Sequence, residues 1–593
     1  MLSMEVEKLY PSSKILVKDC VASRIHAKDA SLYDFSDNAR DFAENFMGWA
    51  DLASNPPCPV AEIKEFAARA HAKGLKTVVL MGQGGSTQAS MTITKYNKVD
   101  HDDVHFKTLD SMSPVRLRAM LASIDPENTL FIISSKSGGT IEPNTLLAAV
   151  RDELAKTMSP EEIAGHLCAI TDPGSDLAAR ATEEGWAGLF YGEPTVGGRY
   201  SALSVFGLLP AALVGIDVEA LLNRAAEAEA VCSEDSIDNP AIGLASFLYD
   251  NYTQGRNKFS FLTQKRGRVL GLWIEQLVAE SLGKEGEGIL PNIEVDSLTL
   301  TKDPGDRSVI MYKTKNELWD EIKNFEMSLS YVDATIPRMS YKIDSVEELP
   351  EHFVMWEYAI AMCGYLMKVC PFDQPDVASA KAAVLDILQN GMPEPDFCED
   401  FLGDVKMGTA EVRVASFYKS ETNIHDALKA LLGSIQPGDY FAVNAFLPFT
   451  GEWRRESLEQ IRHGVASKLG VVSCMEIGPR YLHSTGQLQK GGPNNGVFLI
   501  LSADEVKDIP VTGQKAESLG TLAEAQAAGD FVTLSDRGRR CMHLHLPDNS
   551  GVTLRLLADA VNGVLEELSA ERERAAELDD LAASLAQQVD WRG

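Results

Sequence analysis

Short apolar segments rich in β-branched residues alternate with helical segments from residue 76 onward. The strand-like segments of this first set are KTVVLM (76–81), HFKTL (105–109), TLFIISS (129–135) and HLCAITD (166–172). Strands that alternate with helices form parallel sheets with helices on both faces. The pattern therefore predicts a doubly wound parallel-sheet α/β domain, preceded by a helical and irregular lead-in over residues 1–60.

The same alternation returns twice further along the chain. A second set contains NKFSFLT (257–263), SVIMYK (308–313) and LSYVDATIP (329–337), and it ends in a helical run over 346–369. GMPEPDFCED (391–400) is typical of a linker. The strand-like segments after it are AEVRVASF (410–417), YFAVNAF (440–446), GVVSCMEI (470–477), GVFLILS (496–502) and RRCMHLHLP (539–547), and a helical tail begins near 553. We predict α/β domains over 61–235 and 236–390 and a C-terminal α/β domain over 391–593.

Composition agrees with a globular chain of several domains. The 593 residues are too many for one hydrophobic core, and 45% of them are apolar. No apolar stretch reaches the length of a membrane helix, and the first residues lack the apolar centre of a secretory signal. Nine cysteines without a C-x-x-C pair indicate reduced thiols. We therefore expect a cytoplasmic protein.

The formal net charge of −31 limits the partners that this chain can bind. Such a surface repels nucleic acid and anionic membranes, so we expect neither as a partner. It also repels a phosphorylated metabolite at long range. An anionic substrate would therefore need local donors from backbone N–H groups, hydroxyls and a few cations. The acidity could also serve solubility alone.

A glycine-rich turn, GQGGSTQAS (82–90), follows the first predicted strand directly. Its glycines let the backbone turn sharply and expose N–H groups at the start of the next helix, and Ser86 adds a hydroxyl. The turn is therefore a candidate anion site. Because glycine turns after strands are common in doubly wound folds, an ordinary turn is the alternative.

A second loop, SSKSGGTIE (134–142), again follows a strand and enters a helix. Ser135, Ser137 and Thr140 supply hydroxyls, and a helix N-terminus favours negative charge. Both loops belong at the carboxyl ends of parallel strands, where such sheets bind ligands. The alternative is a simple helix cap, which needs one hydroxyl. Neither G-K-[ST] nor G-x-G-x-x-G is present, so nucleotides are not the favoured ligand.

A third candidate lies in the helical segment WIEQLVAESLGKEG (273–286). Trp273, Gln276 or Leu277, and Glu280 recur at helical spacing and share one face. A carboxylate at the end of an apolar stripe is suited to proton abstraction. An exposed glutamate at a helix end is the alternative.

These segments together resemble the glucose-6-phosphate isomerase family, which is built from sugar isomerase (SIS) domains. The matching motifs are GQGGS (82–86), SSKSGGTIE (134–142), GGRYSALSVFGLLP (197–210), EQLVAESLGKEGEGILP (275–291) and AMCGYLMKVCPFDQPDVASAK (361–381). They span most of residues 60–390. The later segment IGPRYLHSTGQLQKGGPNNGVF (477–498) resembles the isomerase half of bacterial fusions of transaldolase with this isomerase. The resemblance implies two SIS domains in tandem, followed by the C-terminal α/β domain.

The resemblance also implies roles for matching positions. Those for phosphate binding are Ser86, Ser135, Lys136, Ser137 and Thr140, and those for the sugar are Gly85 and Gln276. Glu280 matches the base, and Arg199 matches the arginine that neutralises the enediolate. Lys381 and His483 match the residues that assist ring opening. No metal and no cofactor is implied, since a base, a cation and a phosphate clamp suffice for a 1,2 proton shift.

Three features depart from the family pattern. His483 follows Lys381 in the chain, whereas the usual order places the histidine first. Gln83 stands where an apolar residue is usual, and Gln489 stands where the fusion proteins have histidine. His543 and His545 alternate in a strand-like segment, so we expect strand residues there and not a metal site.

The sequence therefore predicts an aldose–ketose isomerase that interconverts glucose 6-phosphate and fructose 6-phosphate, a reaction of glycolysis and gluconeogenesis. Another hexose with an anionic C6 group, such as mannose 6-phosphate, stays open as the substrate. A non-catalytic sugar-phosphate sensor is the alternative of a different class. The resemblance also implies a homodimer, because family members complete the site with a histidine from the neighbouring subunit.

Overall fold

The computed structural model describes residues 10–57, 59–96, 104–264, 267–294, 305–313, 336–391, 398–404, 408–416, 423–448, 452–505 and 507–590. The α-helices are α1 (Pro11–Lys18), α2 (Val21–His26), α3 (Asp37–Phe46), α4 (Val60–Ala72), α5 (Gln88–Tyr96), α6 (Pro114–Leu121), α7 (Ile141–Leu154), α8 (Pro160–Ala164), α9 (Asp176–Glu183), α10 (Val205–Leu213), α11 (Val218–Cys232), α12 (Pro240–Tyr252), α13 (Arg268–Leu282), α14 (Leu349–Met367), α15 (Pro375–Asn390), α16 (Ile424–Gly433), α17 (Glu452–Leu469), α18 (Thr485–Gly491), α19 (Leu519–Asp536) and α20 (Gly551–Asp590). Among the described helices, none is both long and apolar enough to cross a bilayer.

The strands are β1 (Thr77–Met81), β2 (His105–Leu109), β3 (Thr129–Ser134), β4 (Leu167–Thr171), β5 (Gly188–Tyr191), β6 (Lys258–Thr263), β7 (Leu290–Glu294), β8 (Arg307–Lys313), β9 (Arg338–Lys342), β10 (Cys398–Asp404), β11 (Gly408–Ser416), β12 (Tyr440–Ala445), β13 (Val472–Ile477), β14 (Gly496–Ala503) and β15 (Arg540–Leu546). Short 3-10 turns occupy Ala30–Tyr33, Gly48–Asp51, Gly84–Ser86, Pro126–Asn128, Gly198–Tyr200, Val346–Glu348 and Arg480–His483.

The first sheet has five parallel strands in the order β2-β1-β3-β4-β5. Every residue of β1, β3 and β4 is buried, as near-continuous apolar runs require in a sheet covered on both faces. The four predicted strands of this region are confirmed. Strand β5 escaped prediction because it is short and half-exposed, with Tyr191 open to solvent.

The second sheet is also parallel, in the order β7-β6-β8-β9. Strands β6 and β8 and the long helix α14 confirm the predicted segments of this region. Helix α14 is apolar on all sides because it is buried on all sides, with Trp356 fully enclosed. The predicted segment 329–337 lies outside the described residues except for its last two positions.

The third sheet is mixed, in the order β10-β11-β15-β14-β12-β13. Strands β12 to β15 pair in parallel, whereas β11 is antiparallel to both β10 and β15. The predicted fold class, parallel α/β domains followed by a C-terminal α/β domain, is confirmed. The linker prediction over 391–400 is wrong at its end, because 398–400 already pair with β11 as the start of β10.

The C-terminal region also packs against the first domain. Leu522 and Ala525 of α19 share a hydrophobic cluster with Val384 of α15 and with Val79 and Phe131 of the first sheet. All five side chains are at least nine-tenths buried, so this contact removes apolar surface from water. It holds α15 and α19 together beside the helix that follows β3.

Candidate active site

Two loops lie side by side at the carboxyl edge of the first sheet. Strands β1 and β3 pair directly, so the loops that follow them start at the same edge. The hydroxyl of Ser134 donates to the carbonyl of Ser86 at 3.0 Å. A Cβ atom at Gly85 would come within 2.0 Å of the Gly198 carbonyl, so only glycine allows this approach. The predicted segments at 82–90 and 134–142 are thus brought together.

The loop after β3 leaves its hydroxyls available for a ligand. Thr140 is the cap residue of α7, but its side chain makes no capping hydrogen bond. Instead its hydroxyl shares a hydrogen bond of 2.9 Å with the hydroxyl of Ser135. Ser137 is exposed beside Gly138, which has a φ of +71°. The alternative of a simple helix cap therefore does not describe Thr140, and the helix N-terminus remains open to an anion.

Lys136 faces away from these hydroxyls. Its ammonium group forms an ion pair with Asp172 and donates to the carbonyl of Pro194 at 3.0 Å. Its main chain accepts from Asp172 N at 2.9 Å. These contacts fasten the loop after β3 to the loop after β4.

Glu280 is buried near the end of α13, with 7% of its surface exposed. The amide of Gln276, one turn earlier, donates to Oε2 of Glu280 at 3.1 Å and to the carbonyl of His483 at 3.0 Å. The other carboxylate oxygen lies 3.6 Å from the guanidinium of Arg199. Each oxygen of Glu280 is therefore held separately, and the alternative of an exposed helix-end glutamate is wrong.

Arg199 is itself almost fully enclosed, with 2% of its surface exposed. Its hydrogen bonds reach Ser281 Oγ at 2.8 Å, Gln374 Oε1 at 2.9 Å, the Pro371 carbonyl at 2.7 Å and the Asp373 carbonyl at 2.9 Å. The same Asp373 receives Lys284 at 2.6 Å. Burial lowers the pKa of Lys284, a shift to which Arg199 adds and which Asp373 opposes. These contacts hold the segment FDQP (372–375) beside Glu280.

His483 reaches the site from the C-terminal region of the same chain. Its Nε2 lies 2.8 Å from Oε1 of Glu142, the first acidic residue of α7. Burial works against the charge of Glu142, but His483 and Lys381 hold the pKa of that carboxyl below its ordinary value. An ionised carboxylate only accepts hydrogen bonds, so His483 donates through Nε2 and leaves Nδ1 for another partner.

A cavity of about 300 Å³ lies between the loop after β3, the start of α7, helices α15 and α19, and His483. Four predicted residues line it: Ser137, Thr140, Lys381 and His483. Further lining residues come from positions that the sequence did not single out, namely Glu142, Gln514, Lys515 and Gln526. The other predicted residues are not part of the lining formed by the described residues, but Gln276 contacts the His483 carbonyl and Glu280 contacts Gln276. Gly84 joins them, since a Cβ there would lie 2.9 Å from both Gln276 Nε2 and the His483 carbonyl.

Of the departures from the family pattern, His483 lines the cavity, whereas Gln489 and Gln83 do not. Gln489 is buried and exchanges hydrogen bonds with Asn444, at 2.9 and 3.3 Å. Gln83 donates to the carbonyl of Asp110 at 3.1 Å. His543 and His545 are strand residues, as predicted, and both share hydrogen bonds with Ser502, at 2.7 and 2.8 Å.

Comparison with known proteins finds similarity to glucose-6-phosphate isomerases. Residues 63–298 match the family model described as phosphoglucose isomerase. A glucose-6-phosphate isomerase from Mycoplasmopsis pulmonis is 28% identical over 391 residues, which is 58% of this chain and 90% of that protein. One from Enterococcus faecalis is 26% identical and covers 65% of this chain and 96% of that protein. In fold, the chain is similar to the crystal structure of a glucose-6-phosphate isomerase from Chlamydia trachomatis, with a TM-score of 0.51, 18% identity and coverage of 64% and 84%.

The matched residues 63–298 include both candidate anion-binding loops, Arg199 and Glu280. Lys381 and His483 lie beyond the matched part and line the cavity together with Ser137 and Thr140 of the loop after β3. The resemblance that the sequence motifs indicate is therefore confirmed, since residues 63–298 match the phosphoglucose isomerase family model.

Proposed function

We propose that this chain interconverts glucose 6-phosphate and fructose 6-phosphate, with Glu280 as the base. One observation carries the proposal: a buried carboxylate is held at both oxygens, by Gln276 and Arg199, next to two hydroxyl-rich loops. A phosphate sensor needs the loops but has no use for a fixed base. The names of the relatives point to the same reaction.

The phosphate group of the substrate would bind at the loop after β3. Ser135, Ser137 and Thr140 supply hydroxyl donors, the N-terminus of α7 supplies partial positive charge, and Ser86 lies in the neighbouring loop. Lys136 supports this loop through its ion pair with Asp172. Holding a flexible open-chain sugar by one end restricts its orientation, which is a large part of the catalytic task.

The proton transfer would take place at Glu280. The carboxylate removes the proton from C2 of the open-chain aldose, and the electron pair moves to form an enediolate. Returning the same proton to C1, while the hydroxyl proton of O2 is transferred to O1, gives the ketose. Arg199 lies 3.6 Å from the carboxylate and supplies positive charge where the oxyanion develops. The amide oxygen Oε1 of Gln276 is buried and has no hydrogen-bond partner among the described residues. It can therefore accept a hydrogen bond from a hydroxyl group of the sugar.

We assign ring opening to His483 and Lys381, which both line the cavity. His483 belongs to the same chain as Glu280, so one chain supplies the complete set. A homodimer stays a prediction, but it is not needed to bring this histidine to the site. A cytoplasmic location also stays a proposal, supported by the free thiols of the described cysteines.

The proposal is tested with the purified full chain and two substrates. Glucose 6-phosphate and mannose 6-phosphate are incubated separately, and fructose 6-phosphate is measured by NMR. We expect product from glucose 6-phosphate. Product from mannose 6-phosphate alone would replace the proposed substrate, and binding of both sugars without product would favour the sensor.

A further inference from the structure

Gln526 lies on the cavity wall, although it is remote in sequence from every family motif. It belongs to α19, whose apolar face packs against the first domain. Only 2% of its surface is exposed, yet it lines the cavity together with Lys381 and His483. A buried glutamine needs hydrogen-bond partners for both ends of its amide.

One end of the amide has a defined partner. Nε2 of Gln526 donates to Oε1 of Glu142 at 2.8 Å, and Nε2 of His483 lies 2.8 Å from the same oxygen. Because His483 holds the pKa of Glu142 below its ordinary value, the carboxyl is an acceptor at neutral pH. The nitrogen of the Gln526 amide must therefore face Glu142, and this fixes the amide's orientation.

The other end of the amide has none. Oε1 of Gln526 is buried and has no hydrogen-bond partner among the described residues. With the nitrogen fixed on Glu142, this oxygen is an acceptor at the wall of a cavity that His483 and Lys381 share. Leaving such an acceptor unpaired costs free energy, which a hydroxyl donor from a ligand would recover.

We propose that Gln526 is a substrate-binding residue whose Oε1 accepts a hydrogen bond from one hydroxyl group of the sugar phosphate. The proposal rests on the proposed function for the class of ligand. It assigns part of substrate selection to the C-terminal region. A site built to pair with a hydroxyl discriminates against analogues that lack it, because the buried acceptor is then left unpaired.

The test measures binding, so it does not depend on turnover. Glucitol 6-phosphate, an open-chain sugar phosphate that cannot isomerise, is titrated calorimetrically into wild type and Gln526→Met. Analogues that lack the hydroxyl at C2, C3, C4 or C5 are titrated in the same way. Methionine matches glutamine in length, so the packing of α19 is kept. Gln460→Met, an exposed glutamine on α17, is the matched control.

We expect Gln526→Met to weaken binding of glucitol 6-phosphate by about 2- to 10-fold, and Gln460→Met to change nothing. For one deoxy analogue, wild type and Gln526→Met should bind equally, since the hydroxyl that Gln526 recognises is already gone. Equal affinity of Gln526→Met and wild type for glucitol 6-phosphate would overturn the proposal. The proposal would also be overturned if Gln526→Met lost the same affinity, relative to wild type, for every deoxy analogue. If Gln526→Met does not fold, Gln526→Asn, which retracts the amide by one methylene, is judged by the same outcomes.

Turnover of glucose 6-phosphate by wild type is measured in parallel. Turnover without a hydroxyl-specific effect would reject the role of Gln526 and leave the isomerase intact. A hydroxyl-specific effect without turnover would retain Gln526 as a binding residue and reject the isomerase.

Discussion

The two walls of the cavity differ in how their residues reach it. Ser137, Thr140 and Glu142 form a continuous stretch at the end of β3, and the start of α7 fixes them in place. His483, Lys515 and Gln526 come from separate elements of the C-terminal region and reach the cavity only through tertiary packing. The first wall is therefore set by local sequence, and the second depends on how the C-terminal region docks. Variants of the motif-borne groups, among them His483, should change catalysis or phosphate binding strongly, whereas variants of Lys515 and Gln526 should change affinity modestly.

The largest effect is expected at Glu280. Glu280→Gln keeps the shape of the side chain but cannot accept a proton, so kcat should fall by about 10²- to 10⁴-fold. Glu275→Gln on the same helix is the matched control, because burial raises the pKa of Glu275 and it interacts with Glu476 instead. Steady-state kinetics check both variants. A comparable fall in kcat for Glu275→Gln would point to helix packing as the cause.

The next effect concerns the phosphate clamp. Ser135→Ala combined with Thr140→Ala should raise KM for glucose 6-phosphate by about tenfold or more, because each hydrogen bond to a charged group contributes about 1.5 to 3 kcal/mol. Ser113→Ala is the control, since its hydroxyl caps α6 at 3.4 Å from Arg116 N. We expect the control to lower Tm and leave KM unchanged. An unchanged KM in the double variant would mean that the loop does not hold the phosphate.

A smaller effect is expected from the second wall. Lys515 is exposed and lines the cavity, so its charge should attract a phosphorylated substrate. Lys515→Gln should raise KM by about 2- to 5-fold, in line with about 0.4 to 1 kcal/mol for an exposed ion pair. Lys507→Gln removes the same charge outside the cavity and should leave KM unchanged. The difference should shrink as salt is added, and equal KM values in both variants at low salt would contradict the assignment.

The smallest effect concerns the docking of the C-terminal region. Burial raises the pKa of Glu476 in β13 to about 7, and the pKa of Glu275 in α13 is also raised, by burial and by Glu476. The folded chain thus retains a proton between about pH 4.5 and 7 that the unfolded chain has released, so stability falls as pH rises through that window. Glu476→Gln cannot ionise and should raise Tm at pH 8 by about 2 to 4 °C. In thermal scans near pH 4.5, Glu476→Gln and wild type should have the same Tm. An equal rise in Tm at both pH values would mean that ionisation of Glu476 is not the cause.

The sequence predicts the first wall well because strand, turn and helix signals are contiguous there. The segment SSKSGGTIE falls at the carboxyl end of β3 as expected, and its Thr140 lies at the start of α7. Glu142 stands in that same segment, and an acidic residue in the first turn of a helix is an ordinary dipole partner. No sequence pattern therefore indicated that Glu142 would form a hydrogen bond with His483.

In the second wall, only His483 was predicted, through its motif, and the contacts of this wall could not be predicted because they join distant parts of the chain. Glu142 lies 341 residues from His483 and 384 residues from Gln526. No local periodicity encodes such a pairing; it follows from the apolar contact of α19 with α15 and the first sheet. The ion pair between Lys136 and Asp172 could not be predicted either, because Asp172 follows the neighbouring strand β4.

The central claim, that Glu280 carries the proton between C2 and C1, is tested most directly by isotope exchange. Glucose 6-phosphate is incubated in D₂O with wild type or Glu280→Gln, and deuterium at C2 is followed by NMR. We predict exchange by wild type and a loss in Glu280→Gln that parallels the loss of kcat, while binding of glucitol 6-phosphate changes little. Exchange at a near-normal rate in a folded Glu280→Gln protein would contradict the account.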